Sequence, residues 1–185
     1  MIKMLKQSCS IFEFRLILHM KWRIVLGIIL LVLLIVSIGW NRKNAWEGSL
    51  GSPAALGRAV VDALNRGDVD GLHRLRVDQD EYFSWIWPAF LASRPPYNFT
   101  ADFAWSNLDQ KCILGASSWI GRYGRKDLVF TDIQFERPTE SYKGFKLLRG
   151  TVLTVQQASS KKAELRILGS VVKKGNHYKL LSYED

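Results

Sequence analysis

Apolar residues fill the stretch from Ile24 to Trp40, which contains seventeen residues and no charged side chain. A helix without a charged position on any face is typical of a lipid environment or a protein interior. A membrane span takes about 20 apolar residues at ~1.5 Å rise per residue, and this stretch is at the short end of that range. The pattern therefore predicts a transmembrane helix at residues 24–40.

The residues that flank this stretch favour a membrane interface. Trp22 and Trp40 carry amphipathic rings, which sit well at the headgroup level. Arg42 and Lys43 closely follow the stretch, whereas a larger basic set precedes it: Lys3, Lys6, Arg15, Lys21 and Arg23. The positive-inside rule then predicts a cytoplasmic head at residues 1–23 and an exported body. We expect a single-pass protein of a bacterial cytoplasmic (inner) membrane, with its C-terminal domain in the periplasm.

A cleavable signal peptide is the alternative interpretation of the same region. A signal peptide also consists of a basic segment followed by an apolar run. Ser37 and Gly39 would supply the small residues before a cleavage site at Trp40. The protein would then be secreted. The apolar run is longer than the roughly 7–15 residues usual for a signal peptide, which favours the uncleaved anchor. Translation from Met20 instead of Met1 would remove most of the head.

Beyond the anchor the pattern becomes polar. Residues 41–51 read NRKNAWEGSLG and predict a short linker, so the folded domain is expected at 52–185. Ser52 is a favoured N-cap and Pro53 a favoured first helical residue. Apolar residues then recur four apart, as on one face of a helix, at Leu56, Val60 and Leu64.

Gly67 is predicted to end this helix, and Asp68 to cap a second, short one. Three carboxylates follow within four residues, at Asp78, Asp80 and Glu81. A calcium-binding loop would also need a central Gly and a terminal Glu, which this stretch does not have. Helix capping is therefore the favoured role for these carboxylates.

The longest soluble helix is predicted to begin at Thr100 or Asp102 and to reach Tyr123. It carries one apolar stripe at spacings of three and four: Trp105, Leu108, Cys112, Ala116 and Trp119. Such a stripe is expected to pack on a sheet. This places Cys112 in the core as a buried thiol.

Four β-branched, partly alternating segments complete the chain, at residues 127–136, 145–157, 162–174 and 176–184. The pair Gly175-Asn176 between the last two is typical of a two-residue hairpin turn. Consecutive strands with short turns pair antiparallel, so the sequence predicts a curved four-stranded meander after a run of helices. The expected class is α+β.

Composition restricts the function. The net charge of +9 is spread along the chain, and the sequence contains no basic helix or recognisable reading motif, so nucleic-acid binding is not expected. Cys9 and Cys112 fall on opposite sides of the predicted membrane, which excludes a disulfide between them. The roughly 140 residues after the anchor are enough for one domain.

No motif for chemistry is recognisable in the sequence. There is no G-x-S-x-G elbow and no Gly-rich phosphate loop. His73 and His177 are the histidines of the exported part, and neither has a cysteine near it in the sequence. We therefore expect no catalytic residue, no metal site and no cofactor.

Two segments resemble the nuclear transport factor 2-like superfamily, the cystatin-like cone that includes ketosteroid isomerase-like proteins. They are SPAALGRAVVDALNRGDVDGLHRL at 52–75 and GSVVKKGNHYKLLSYED at 169–185. The resemblance implies helices on a curved antiparallel sheet. Enzymes of that superfamily use an Asp or His base and a Tyr or Asp donor inside the cone, and no residue here is matched to those roles. The Trp-rich stretch at 81–105 departs from the compact pattern of the superfamily.

These observations favour a membrane-anchored, non-enzymatic domain for protein interaction or assembly, with a protein partner or a second copy of the chain. The alternative is small apolar-ligand binding, conceivably with catalysis, in an aromatic-lined cone. The wall of that cone would be formed by Tyr82, Trp85, Trp87, Tyr97 and Trp105.

Overall fold

The computed structural model describes residues 46–157 and 161–184. The predicted head at 1–23 and the predicted transmembrane helix at 24–40 lie outside these residues. Within the described part of the chain, no helix has both the length and the apolarity needed to cross a membrane. From Trp46 onwards the chain forms one unit of helices followed by antiparallel sheets, which confirms the predicted α+β class.

Helix α1 spans Pro53–Arg66, as the spacing of its apolar residues predicts. The Ser52 hydroxyl accepts a hydrogen bond from the backbone N–H of Ala55 at 3.1 Å and caps the first turn. Gly67 ends the helix in the left-handed conformation, with a φ of 66°. A residue with a side chain would be strained there. Both ends of α1 are therefore determined by local sequence.

Helix α2 spans Val69–Arg74 and is the predicted second helix. The carboxylate of Asp68 caps it by accepting a hydrogen bond from the backbone N–H of Gly71 at 2.7 Å. This hydrogen bond and the neighbouring Arg74 guanidinium together hold the pKa of Asp68 below its usual value. The short helix carries the chain from α1 towards the sheet.

Helix α3 is a single turn at Gln79–Glu81 with a reciprocal capping box. The Asp78 carboxylate accepts from the Glu81 backbone N–H at 2.8 Å, and the Glu81 carboxylate accepts from the Asp78 N–H at 3.0 Å. The capping role predicted for these two residues is confirmed. Three irregular turns follow, π-helical at Tyr82–Ile86 and 3₁₀ at Trp87–Ala89 and Leu91–Ser93.

Helix α4 spans Ala101–Tyr123 and is capped by Thr100, whose hydroxyl accepts from the Phe103 N–H at 3.3 Å. Its central face is buried, and Cys112 has no exposed surface. The Cys112 thiol lies 3.8 Å from the carbonyl oxygen of Leu181. The prediction of a core cysteine on this helix is confirmed.

The described residues contain seven strands in two antiparallel sheets. The first sheet has the order β1-β4-β5 and the second the order β2-β3-β6-β7. The strands are β1 Val129–Phe135, β2 Glu140–Tyr142, β3 Phe145–Arg149, β4 Thr151–Gln156, β5 Lys162–Leu165, β6 Leu168–Lys174 and β7 His177–Tyr183. The predicted turn at Gly175-Asn176 joins β6 to β7.

The predicted four-stranded meander is wrong, because two of its four strands are divided between the two sheets. The segment at 145–157 becomes β3 and β4, and the segment at 162–174 becomes β5 and β6. Gly150 separates β3 from β4 with a φ of 65°, and a Cβ at this position would lie 2.9 Å from Cγ of Arg137. The left-handed residue turns the chain from one sheet into the other. The isolated Gly150 is a local signal for an interruption of the strand, whereas the sheet that each half joins depends on packing between distant segments.

The second sheet is buried on both faces. On β7, Leu180 packs into a cluster with α1, α2 and α4, whereas the next residue, Leu181, packs into a second cluster on the opposite face. The second cluster joins residues of β3, β6 and β7 to aromatic residues of the irregular turns after α3, among them Tyr82 and Trp87. The Trp-rich stretch therefore forms the cover of the second face.

The outer edge of β7 is closed by two extended segments. Leu50 pairs with Tyr178 through two backbone hydrogen bonds, of 3.0 and 2.8 Å. Further along, the Val77 N–H donates to the Leu180 carbonyl at 2.8 Å, and the Leu180 N–H donates to the Leu75 carbonyl at 2.9 Å. An exposed strand edge would invite pairing with other chains. The last residues of the predicted linker thus contribute to the domain.

Substitution of Gly150 by alanine should lower the free energy of unfolding by about 1–3 kcal/mol, because a Cβ meets Arg137 and the left-handed backbone becomes strained. Urea unfolding of the full-length chain followed by circular dichroism measures the change. Gly51→Ala is the control, since no atom lies within 4 Å of a Cβ there. Equal midpoints for the two variants would contradict the role assigned to Gly150.

Candidate functional site

Two of the five predicted ligand-binding aromatics are buried in the second cluster. Tyr82 and Trp87 retain 3% and 9% of their exposure, and their ring centroids are 5.9 Å apart. The Trp105 ring lies 5.2 Å from Tyr82 on the other side. Burial raises the pKa of Tyr82 to about 12, so its phenol stays neutral at physiological pH. Trp87 and Trp105 therefore both pack against the Tyr82 ring.

Trp85 packs at a different place in the second cluster. Its ring centroid lies 5.3 Å from that of Trp46 and 5.3 Å from that of Phe145, both in edge-on geometry. The Lys174 ammonium group lies 4.4 Å from the Trp85 centroid, within cation–π range. Trp85 therefore links the beginning of the domain to the β6–β7 hairpin.

A buried ion pair lies beside these rings. The Lys179 ammonium group on β7 is 2.6 Å from the Glu81 carboxylate, and both side chains are largely buried. The Trp46 indole N–H donates to the same carboxylate, and the Lys179 ammonium lies 5.1 Å from the Trp46 ring centroid. Glu81 thus caps α3 and neutralises Lys179, which makes it a structural residue.

The fifth predicted residue, Tyr97, lies on the surface in a row of aromatic rings. Tyr97, Phe99 and Phe103 are 61%, 51% and 58% exposed. Their ring centroids are 6.4 Å apart from Tyr97 to Phe99 and 5.9 Å apart from Phe99 to Phe103. We call these three residues the aromatic ladder. It occupies the loop before α4 and the first turn of that helix.

A groove of about 530 Å³ lies between α4 and the α2–α3 connection. We call it the Arg76 groove, and it is lined by His73, Arg76, Val77, Asp78, Gln79, Trp105, Asp109 and Ile113. Its volume falls within the roughly 300–1,000 Å³ of small-ligand sites. Of the five aromatic residues predicted to bind a ligand, Trp105 lines this groove.

Arg76 is the central charged residue of the groove. Its side chain is 5% exposed, and its Nη1 donates to Asp109 Oδ1 at 2.9 Å. Its Nε and Nη2 have no hydrogen-bond acceptor among the described residues. Leaving a buried donor unsatisfied costs about 1–3 kcal/mol, and such groups in folded proteins usually have a structural or functional explanation.

His73 lies on the other side of the Arg76 guanidinium, with its Nδ1 3.4 Å from Arg76 Nη1. Burial lowers the pKa of His73, and the positive charge of Arg76 lowers it further, while Asp109 and Asp70 act in the opposite direction. The imidazole is therefore neutral at neutral pH, and its Nδ1 can accept a hydrogen bond from Arg76. This contact helps to orient the guanidinium.

The sequence contained no signal that would join His73, Arg76 and Asp109. Asp109 is 33 positions away from Arg76, and the two residues meet because α4 crosses the α2–α3 connection. The described residues contain no group of three or more side chains that could hold a metal ion. Among the residues that line the Arg76 groove, Arg76 is the buried charged side chain.

Comparisons of the chain with protein-family models, with curated proteins and with solved structures found no match. The resemblance to the nuclear transport factor 2-like superfamily therefore stays a prediction.

Removing one partner of the buried ion pair should destabilise the domain strongly. Lys179→Met leaves the Glu81 carboxylate without its cation, at a cost of about 3 kcal/mol in the free energy of unfolding. The double variant with Glu81→Gln should recover part of this loss, since it buries no unpaired charge. Urea unfolding measures both, with the exposed Lys143→Met as control. An equally small effect of Lys179→Met and Lys143→Met would contradict this role for the pair.

Proposed function

We propose that this chain is a membrane-anchored, non-enzymatic domain that binds a protein partner on the extracytoplasmic side. The predicted span at residues 24–40 attaches it to the inner membrane, and the aromatic ladder is its partner-binding surface. The helices-then-sheet order is consistent with the cone of the nuclear transport factor 2-like superfamily, which we propose as its fold family.

The observation that carries this proposal is the exposure of three contacting aromatic rings. Single exposed apolar residues are common on protein surfaces, whereas contiguous patches mark interaction sites. Aromatic side chains are enriched at the centres of protein interfaces and often supply most of the binding energy there. Leu91, which is 76% exposed and lies in the same irregular segment, adds to the apolar character of this region.

The ladder is held in place before any partner binds. The Phe99 N–H donates to the Ala92 carbonyl at 3.0 Å, and the Tyr97 N–H donates to the Arg94 carbonyl at 3.0 Å. The guanidinium of Arg94 also donates to the Pro88 carbonyl at 3.0 Å. A preorganised surface loses little conformational entropy on binding. This supports recognition by a rigid apolar patch.

Binding of an apolar ligand inside a cone is the second candidate, with less support. It would need open space between Tyr82, Trp87 and Trp105, where the rings are already in contact. The packing therefore favours the outer surface as the functional part of the domain.

Replacing two rings of the ladder should abolish partner binding without unfolding the domain. We expect Phe99→Ser with Phe103→Ser to reduce the yield of a specific crosslinked complex by about tenfold or more, since interface hot spots contribute at least ~2 kcal/mol. The assay is crosslinking of the full-length chain in native membranes, followed by mass spectrometry. Val129→Ser, at another exposed apolar position, is the matched control.

An unchanged crosslink in the double variant would exclude the ladder as the binding surface. A complex that contains two copies of this chain and depends on the ladder would identify the partner as a second copy.

The anchor makes a separate prediction. The full-length chain should remain in the membrane pellet after alkaline carbonate extraction, and Leu33→Arg should release part of it, because a charge at mid-span costs about 2.5–3.5 kcal/mol. Leu33→Ile is the control. Recovery of a soluble chain that begins at Trp40 would instead support the cleaved, secreted form and contradict the anchor.

A further inference from the structure

The Arg76 guanidinium uses one of its hydrogen-bonding edges and leaves another one empty. Its Nη1 is occupied by Asp109 and His73, whereas Nε and Nη2 have no acceptor among the described residues. Nε and Nη2 together form the side edge of the guanidinium plane, with two parallel N–H bonds. That edge matches the two oxygens of one carboxylate.

The charge of Arg76 is also incompletely balanced within the described domain. The Arg76 side chain is 5% exposed, whereas the side chain of its partner Asp109 is 37% exposed. Water screens the charge of the more exposed group, so the pair compensates the buried cation poorly. His73 contributes no negative charge. A second carboxylate, bound to Nε and Nη2, would compensate more of the Arg76 charge.

The walls of the groove indicate the rest of the ligand. Trp105 and Ile113 line it beside Arg76 and offer an apolar surface, whereas Val77 is almost fully buried and Asp78 and Gln79 add polar groups. The Trp105 ring centroid lies 5.7 Å from the guanidinium carbon, so the indole rests against the cation. A groove of about 530 Å³ can accommodate one ring-sized molecule.

We propose that the Arg76 groove binds a small molecule that carries one carboxylate on an apolar, ring-sized body. The carboxylate accepts hydrogen bonds from Nε and Nη2 of Arg76, and the apolar body packs against Trp105 and Ile113. Both nitrogens are enclosed in the structure, so binding requires a local movement of the groove wall. This site is separate from the aromatic ladder and does not depend on the proposed protein partner.

Isothermal titration calorimetry of the full-length chain with benzoate tests the proposal. Benzoate should bind, whereas benzyl alcohol, which has the same ring without the carboxylate, should bind at least about tenfold more weakly. Acetate, which lacks the ring, should also bind more weakly. Arg76→Lys keeps the positive charge but removes the two parallel N–H donors. It should therefore weaken benzoate binding by about tenfold or more.

Loss of benzoate binding in Arg76→Lys could also result from unfolding, so a variant with higher affinity is tested as well. Asp109→Asn keeps an oxygen acceptor for Nη1 and removes the competing negative charge, so benzoate should bind several-fold more tightly. Val129→Ser, at an exposed apolar position outside both the groove and the ladder, should leave benzoate binding unchanged. Equal affinities for benzoate and benzyl alcohol, or no binding heat for either the wild type or Asp109→Asn, would overturn the proposal and leave water as the occupant of the empty edge.

Discussion

The burial of strand β7 on both faces and along its outer edge is the constraint on which the rest of the domain depends. A strand in this position needs a cover for each face and a partner for its free backbone groups. Helices α1, α2 and α4 with the first cluster cover one face, the aromatic turns after α3 cover the other, and Leu50 and Val77 close the edge. Strand β7 contributes residues to both clusters and pairs with both closing segments.

This constraint also explains how the aromatic residues are distributed. Lys179 on β7 points into the second cluster, where Glu81 neutralises it and Trp46 lies against it. The predicted pocket residues Tyr82, Trp85 and Trp87 belong to the same cluster and help to cover the sheet. The rings that remain exposed are those of the ladder, which lies beyond the covered sheet at the start of α4. Packing and surface recognition therefore use different parts of one Trp-rich stretch.

The same covering segments create the Arg76 groove. The backbone around Arg76 lies along the edge of β7, next to Leu180, while α4 passes over it and supplies Asp109. The arginine is buried because its backbone pairs with the sheet, and its charge meets a carboxylate that is partly in water. The Nε and Nη2 atoms of Arg76 are buried in this position without a hydrogen-bond acceptor among the described residues.

Features that depend on neighbouring residues can be read from the sequence alone. The caps at Ser52, Asp68, Asp78 and Thr100, the end of α1 at Gly67 and the buried stripe of α4 all follow from hydrogen bonds and side-chain periodicity within a few residues. The antiparallel pairing of β6 with β7 follows from the short turn between them. These are local rules, and they hold whatever the rest of the chain does.

Only the tertiary structure decided the features that join distant segments. The division of two strands near Gly150 and Ile167, the second buried face of the sheet, the ion pair between Glu81 and Lys179, and the meeting of Arg76 with Asp109 depend on which elements share a core. A sequence pattern records that a side chain is apolar or charged. Its partner is chosen by long-range packing, which no local period encodes.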